Sequence, residues 1–287
     1  MDRLHLRRVR LEDVPELVQI HEGSDDPWAD PVECALWVNH RLLRPFYGDV
    51  AVASGRVVGH AEWIVSNEPQ PLGRQLYLGM LQVHPQHRTS GVGRAMIEHG
   101  LARARKLSCG RVGTIAEEGS EGFYERCGFH PELRTATYSL PLSGSRLPTG
   151  WQRAARVPER VVELFPMRVG WVQGCSAHMW EVCNRWVRIA GDKVRHICAR
   201  RRDGQAYVQL RYLGAGDAAM ALAWAPAEFD LPAMMAAATG LARPLPVTSL
   251  TITVLQNESA QMAVQGTLVG EDTVWATDPN RPAAHSQ

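Results

Sequence analysis

The chain has 287 residues, enough for one large domain or two ordinary ones, and its 45% apolar and 21% charged composition is globular rather than disordered. Its 31 lysines and arginines nearly balance 30 aspartates and glutamates, so a net charge of +1 offers no bulk attraction to nucleic acid or an anionic membrane. No apolar run approaches the roughly 20 residues that span a bilayer, and the N-terminal "MDRLHLRRVRLEDV" has no signal-type core, so a soluble, cytoplasmic protein is expected.

Leu4, Leu6, Val9 and Leu11 sit in a roughly alternating charged stretch that reads as a first strand, and Asp13 then caps a helix bearing Leu17, Val18 and Ile20. Residues 21–31, "HEGSDDPWADP", read as a loop and 32–43 as a second amphipathic helix. Residues 47–65 read as a hairpin turning at Ser54-Gly55, and 76–85, "LYLGMLQVHP", as a nearly continuous apolar and therefore central strand. A glycine-punctuated turn follows, then a helix of about four turns with Val92, Met96, Ile97 and Leu101 on one face. A strand at 110–118, a short helix within 119–128 and a closing strand at 135–142 complete a mixed α/β sheet with helices on its faces.

The Pro-, Gly- and Ser-rich stretch 141–150 is the natural boundary. Beyond it, 158–165 and 175–190 read as helical, 206–214 and 218–226 as paired strands, and Asp230, with Pro232 just inside, starts a helix through Ala242. A strand at 247–256, a short helix and a final strand at 267–278 follow. This order repeats the later part of the first half without a shared residue motif, which reads as a divergent duplication.

The chemistry gathers in "VHPQHRTSGVGRAMIEHG", residues 83–100. Glycine weakens a helix by roughly 1 kcal/mol relative to alanine, so Gly91 and Gly93 at a helix start call for another reason. Exposed amides at a helix N-terminus, flanked by Arg88 and Arg94, make a nest suited to a diphosphate. The spacing is RxxGxG, which is neither the dinucleotide fingerprint nor a Walker loop. About thirty residues on stands "GFYERCGF", with Tyr124 ahead of Gly128-Phe129.

These two motifs, in this order and separation, resemble the GNAT superfamily of acyl-CoA-dependent N-acyltransferases. The likeness covers roughly residues 3–142 and is specific at 81–94 and 123–129. It implies a GNAT fold in which the strand at 76–84 splays from that at 110–116, with acetyl-CoA as acyl donor in the gap. Leu81, Gln82 and Val83 would pair with the pantetheine arm, and the amides from Arg88 through Thr89, Ser90, Gly91, Val92 and Gly93 to Arg94 would take the pyrophosphate. Tyr124 would sit near the thioester sulfur as general acid; it also reads as a core residue beside Phe123 and Phe129.

Two positions depart from the family. Glu117 stands where an asparagine is usual, and the strand at 76–83 has no carboxylate to act as base. Glu62 on the neighbouring strand is the substitute, ahead of His60 and His84; it also reads as an exposed strand glutamate, and ordered water could serve instead. The loop 21–31, with Glu22, Asp25, Asp26 and Asp30 around Trp28, suits a cationic amine through Trp28 and Asp26, or is simply a solvated acidic turn.

In the second half, "AEFDLPAMM" stands where a nucleotide loop would be, with neither glycine nor arginine, and no tyrosine motif follows. Residues 1–145 therefore read as a catalytic acyl-CoA-binding domain and 146–287 as a degenerate copy, an arrangement that resembles tandem acyltransferases. The expected activity is transfer of an acetyl group to a primary amine of a small molecule or peptide. The rival is a sensor or scaffold that binds acyl-CoA without turnover. No metal-ligand spacing occurs among the six cysteines and 11 histidines, so no metal is expected. A homodimer is allowed but not required.

Overall fold

The computed structural model describes residues 4–24, 28–42, 46–142, 146–170, 173–184, 195–212, 214, 216–263 and 265–280. The chain forms two compact units, one of Met1–Ser66, Leu72–His130 and Trp275–Gln287, the other of Asn67–Pro71 and Pro131–Val274.

In the first unit, β1 (His5–Arg8) lies antiparallel to β2 (Phe46–Ala53), which turns through Ser54 and Gly55, both at positive φ, into antiparallel β3 (Arg56–Asn67). β4 (Arg74–Val83) and β5 (Arg111–Ile115) follow, parallel to each other. Between β1 and β2 lie α1 (Val14–Ile20) and α2 (Pro31–Leu42). Asp13 does not cap α1 as expected. Its carboxylate turns back to accept from the Arg10 amide at 2.7 Å and from the Arg7 guanidinium at 2.7 and 2.8 Å, which raises the Arg7 pKa.

α3 (Val92–Lys106) buries Val92, Met96, Ile97, Gly100 and Ala104 along one stripe against Trp63, Leu76 and Leu78. Fully burying each large side chain stabilises by roughly 1.5–3 kcal/mol. Arg103 on the same helix forks onto the buried Asp49 carboxylate of β2, which fixes the helix's rotation over the sheet. α4 (Glu121–Arg126) packs Tyr124 between Phe123 and Phe129.

The strand expected to close this unit goes elsewhere. β6 (His130–Pro141) alternates Ala136, Tyr138 and Leu140 into the core of the second unit and pairs antiparallel with β12 (Ser249–Leu255). The place beside β5 is taken by the end of β13 (Thr267–Thr277), whose Trp275 joins the first core. The expected boundary at 145/146 is therefore corrected to an exchange of terminal strands. Alternation fixes which face of a strand is apolar, and either sheet satisfies it equally.

The second unit adds β7 (Trp151–Ala154), α5 (Val161–Leu164), β8 (Met167–Val169), α6 (Ser176–Asn184), β9 (Arg195–Arg201), β10 (Tyr207–Tyr212), β11 (Ala218–Trp224), α7 (Leu231–Ala242) and α8 (Ser259–Ala263). Its strand order is β13, β6, β12, β11, β10, β9, β7, with β8 beside β11. Strands β7, β8 and β9 are additions to the expected elements; the helix expected at 158–165 is shorter, and of that expected at 175–190 residues 176–184 are helical while 185–190 lie outside the described residues. Asp230 caps α7 as its position predicts, accepting from the Ala233 amide at 3.1 Å. β11 and β12 are parallel, as are β4 and β5.

Among the described residues, no helix is long and apolar enough to cross a membrane, and no three His, Cys, Asp or Glu side chains are placed to hold a metal ion.

Candidate active site

β5 accompanies β4 for three register pairs, Gln75–Tyr77 against Arg111–Gly113. The Thr114 hydroxyl then donates to the Leu78 carbonyl at 3.0 Å, replacing a ladder bond with a side chain. Beyond that point the strands part and a cavity of about 1000 Å³ opens. Gly79, Met80, Leu81, Gln82 and Val83 of β4 form one wall; Thr114, Ile115 and Glu117 after β5 form the other, with Phe123, Tyr124 and Cys127 of α4.

The rim is the turn into α3. Thr89 at φ +65° and Gly91 at φ +87° hold left-handed backbone, and Gly91 is the N-cap residue, so no side chain caps the first-turn amides of α3. Gly93 serves a different end: a Cβ there would stand 3.3 Å from the Phe123 ring, so its absence lets that ring close on the helix start. Arg88, Thr89, Gly91, Gly93 and Arg94 line the cavity with His87. Ser90 and Val92 do not: the Ser90 hydroxyl donates to the His87 carbonyl at 2.6 Å, and the Val92 side chain is buried in the core. Arg88 also donates from Nε to the Val83 carbonyl at 3.3 Å, tying the turn to β4.

Tyr124 lines the cavity while being only 8% exposed. Burial pushes its phenol up to about 12; the Thr114 hydroxyl works the other way, and Glu117 adds a further upward push. The group stays neutral, with a proton to give, at any physiological pH. Cys127 is likewise pushed up by burial, so its thiol is held in the unreactive form.

Glu62 is not an exposed strand glutamate, and it does not line the cavity. Its carboxylate meets Arg41 Nε at 2.8 Å through one oxygen and His60 Nε2 at 3.3 Å through the other. His60, wholly buried, contacts His21 Nε2 through Nδ1 at 3.1 Å. His21 and Ser24 line the cavity. Trp28 is also absent from the cavity wall; its ring meets His60 edge to face, centroids 4.5 Å apart, and stacks on Trp37, over which Arg41 lies at 4.4 Å. A cation site on Trp28 is therefore not what the geometry provides, and Asp26 lies outside the described residues. His84 accepts from the Gln86 amide in the turn, away from the cavity.

Sequence reasoning missed His21 and Arg41. They reach β3 from the end of α1 and from α2 across 39 and 21 positions, and no local spacing announces such contacts.

The corresponding gap in the second unit is filled. β11 and β12 pair over Ala218–Met220 and Ser249–Thr251, and β8 then lies antiparallel to β11 at Ala223 and Trp224. The Gly170 amide and the Gln173 side chain donate to the Thr253 carbonyl of β12 at 3.0 and 2.9 Å. Arg168 donates to the carbonyls of Pro226, Ala227 and Phe229 at 2.9, 2.7 and 3.1 Å and pairs with Glu258. That loop thus presents acceptors to a cation, the opposite polarity to the amide nest before α3.

Residues 12–129 match the acetyltransferase (GNAT) family. The chain is 30% identical over 134 residues, 44% of its own length, to the peptidyl-lysine N-acetyltransferase YjaB of Escherichia coli (strain K12), of which it covers 82%. Among solved structures it is similar in fold to a tandem GNAT protein from the clavulanic acid biosynthesis pathway, with 16% identity, a TM-score of 0.58, and 97% of this chain and 99% of that one covered. It is also similar in fold to a GCN5-related N-acetyltransferase from Anabaena variabilis, with 14% identity, a TM-score of 0.69, and 97% and 73% covered.

Proposed function

Because the chain belongs to the GNAT family of acetyltransferases, with the family's fold in tandem, we propose that its first unit transfers an acetyl group from acetyl-CoA to a primary amine of a small molecule or peptide by direct attack. The observation that carries this reading is the single cavity joining the uncapped start of α3 to the phenol of Tyr124.

The α3 amides and Arg88 would hold the donor's diphosphate; the helix dipole adds about 0.3–1 kcal/mol of attraction. Leu81, Gln82 and Val83, past the end of the β4–β5 ladder, line the gap where backbone groups can meet the pantetheine amides. A β4 amide in the same stretch would hydrogen-bond the acyl oxygen as negative charge gathers there.

Tyr124 would give its proton to the departing sulfur. A free thiol near 8.5 and a phenol near 12 make that transfer uphill by roughly 5 kcal/mol. The same desolvation that raises the phenol also raises the thiolate's proton affinity, so the gap narrows inside the cavity. YjaB is named for peptidyl-lysine, which makes a lysine ε-amine one acceptor to test.

The test begins with calorimetric titration of acetyl-CoA into the protein and into an Arg88→Ala/Gly91→Trp variant. A Trp at Gly91 meets no protein atom within 4 Å of its Cβ, so it crowds the rim rather than the core, but the φ of +87° strains it and a thermal melt must show that the variant folds. Micromolar binding, lost in the variant, is expected. Thiol release with amines then separates enzyme from sensor: Tyr124→Phe should retain binding and lose 10²-fold or more in kcat. Binding without any thiol release would favour the sensor.

A further inference from the structure

The contacts running inward from the cavity pass from His21 to His60 to Glu62 to Arg41, a chain along which a neutral relay can be written. Glu62, paired with Arg41, can only accept, so the hydrogen between it and His60 sits on His60 Nε2. Neutral His60 then carries its lone pair on Nδ1, and the 3.1 Å contact requires His21 to donate from Nε2. In that tautomer the ring nitrogen of His21 that carries the lone pair is Nδ1, and His21 is a residue of the cavity wall.

We propose that His21 is the general base that takes the proton of the acceptor ammonium, with His60, Glu62 and Arg41 as positioning residues; this rests on the acyltransferase reading above. The N–H bond of the ammonium breaks, the proton bonds to His21 Nδ1, and the nitrogen keeps the electron pair that forms the new C–N bond. The C–S bond breaks with its pair on sulfur, which takes the Tyr124 proton. The second proton that nitrogen sheds on becoming an amide restores Tyr124. The His21 Nε2 proton can meanwhile pass to His60 Nδ1, leaving the positive charge beside the Glu62 carboxylate.

Among the described residues, the titratable and charged groups on the inner side of His21 include His60 and Glu62 from β3 and Arg41 from α2, and those sharing the cavity wall with it are His87, Arg88, Arg94, Glu117, Tyr124, Arg126 and Cys127.

The decisive experiment pairs spectroscopy with kinetics. Two-bond nitrogen–proton correlation spectra of protein labelled with ¹⁵N-histidine should show both His21 and His60 as Nε2–H tautomers. Replacing Glu62 by Gln should change the His60 tautomer. A His60 proton on Nδ1, or a His60 tautomer indifferent to Glu62→Gln, overturns the relay.

In thiol-release assays with spermidine, glucosamine and an N-terminally blocked lysine peptide, His21→Gln should lower kcat about 10²- to 10³-fold. The KM for acetyl-CoA should stay within twofold, and the acid limb of the pH profile should flatten. Added imidazole should restore rate to His21→Ala, which a packing role would not allow, and thermal melts confirm that the variants fold. Wild-type kcat and an unchanged pH profile in His21→Gln overturn the proposal while leaving the acyltransferase reading intact. Wild-type protein that fails to bind acetyl-CoA, or binds it and turns over none of the three amines, overturns that reading and the base role with it.

Discussion

The phenol of Tyr124 shows how one environment can set both the state and the task of a residue. Its raised pKa, about 12 against an ordinary 10, comes first from burial, and the sign follows directly. The folded state holds the proton more tightly than the unfolded chain, so the group costs no stability below about pH 10 and erodes it between pH 10 and 12, by on the order of 2–3 kcal/mol. For catalysis the same sign predicts that kcat shows no descending limb from Tyr124 below about pH 10. A pH–rate profile with a limb near 8 that vanishes in Tyr124→Phe would contradict this. The tyrosine was legible because it lies in a local motif with Gly128 and Phe129. The burial that tunes it was not, because Thr114 and Glu117 arrive from the preceding strand and loop.

At the scale of elements, what the sequence disclosed and what it hid divide by range. β4, the turn through Gly91 and α3 form one contiguous stretch, and apolar run, glycine turn and helical stripe each follow from local rules. The destination of β6 does not, since partner choice depends on which sheet offers an edge. β9, with Arg195, Arg200 and Arg201 among seven residues, disguises its alternation behind its arginines. The point at which β4 and β5 part is also invisible locally, and one hydroxyl, that of Thr114, bonds across it. Thr114→Val preserves shape while leaving the buried Leu78 carbonyl without that donor, which should cost about 1–3 kcal/mol in urea unfolding. It also removes the hydroxyl that restrains the Tyr124 pKa, so kcat should fall more than acetyl-CoA affinity. Unchanged stability and kcat would show that the backbone alone holds the strands apart.

Across the whole chain, two units share an order of elements and differ in what fills the gap between their parallel strands. In the first the gap is open and rimmed by amides. In the second, β8 bonds to one strand, Gly170 and Gln173 bond to the other, and Arg168 bonds to the loop before α7. Arg168 and Glu258 are nearly buried, 10% and 14% exposed, so removing one charge strands the other; Arg168→Met should destabilise by roughly 3 kcal/mol. It should not create a second donor site, because the loop would still present carbonyls where a diphosphate needs N–H groups. Calorimetry should therefore return one acetyl-CoA per chain for the native protein and for Arg168→Met alike, and none for Arg88→Ala/Gly91→Trp. A stoichiometry of two in the native protein would mean that β8 gives way to ligand, and that the second unit is a working copy whose site is covered by its own chain.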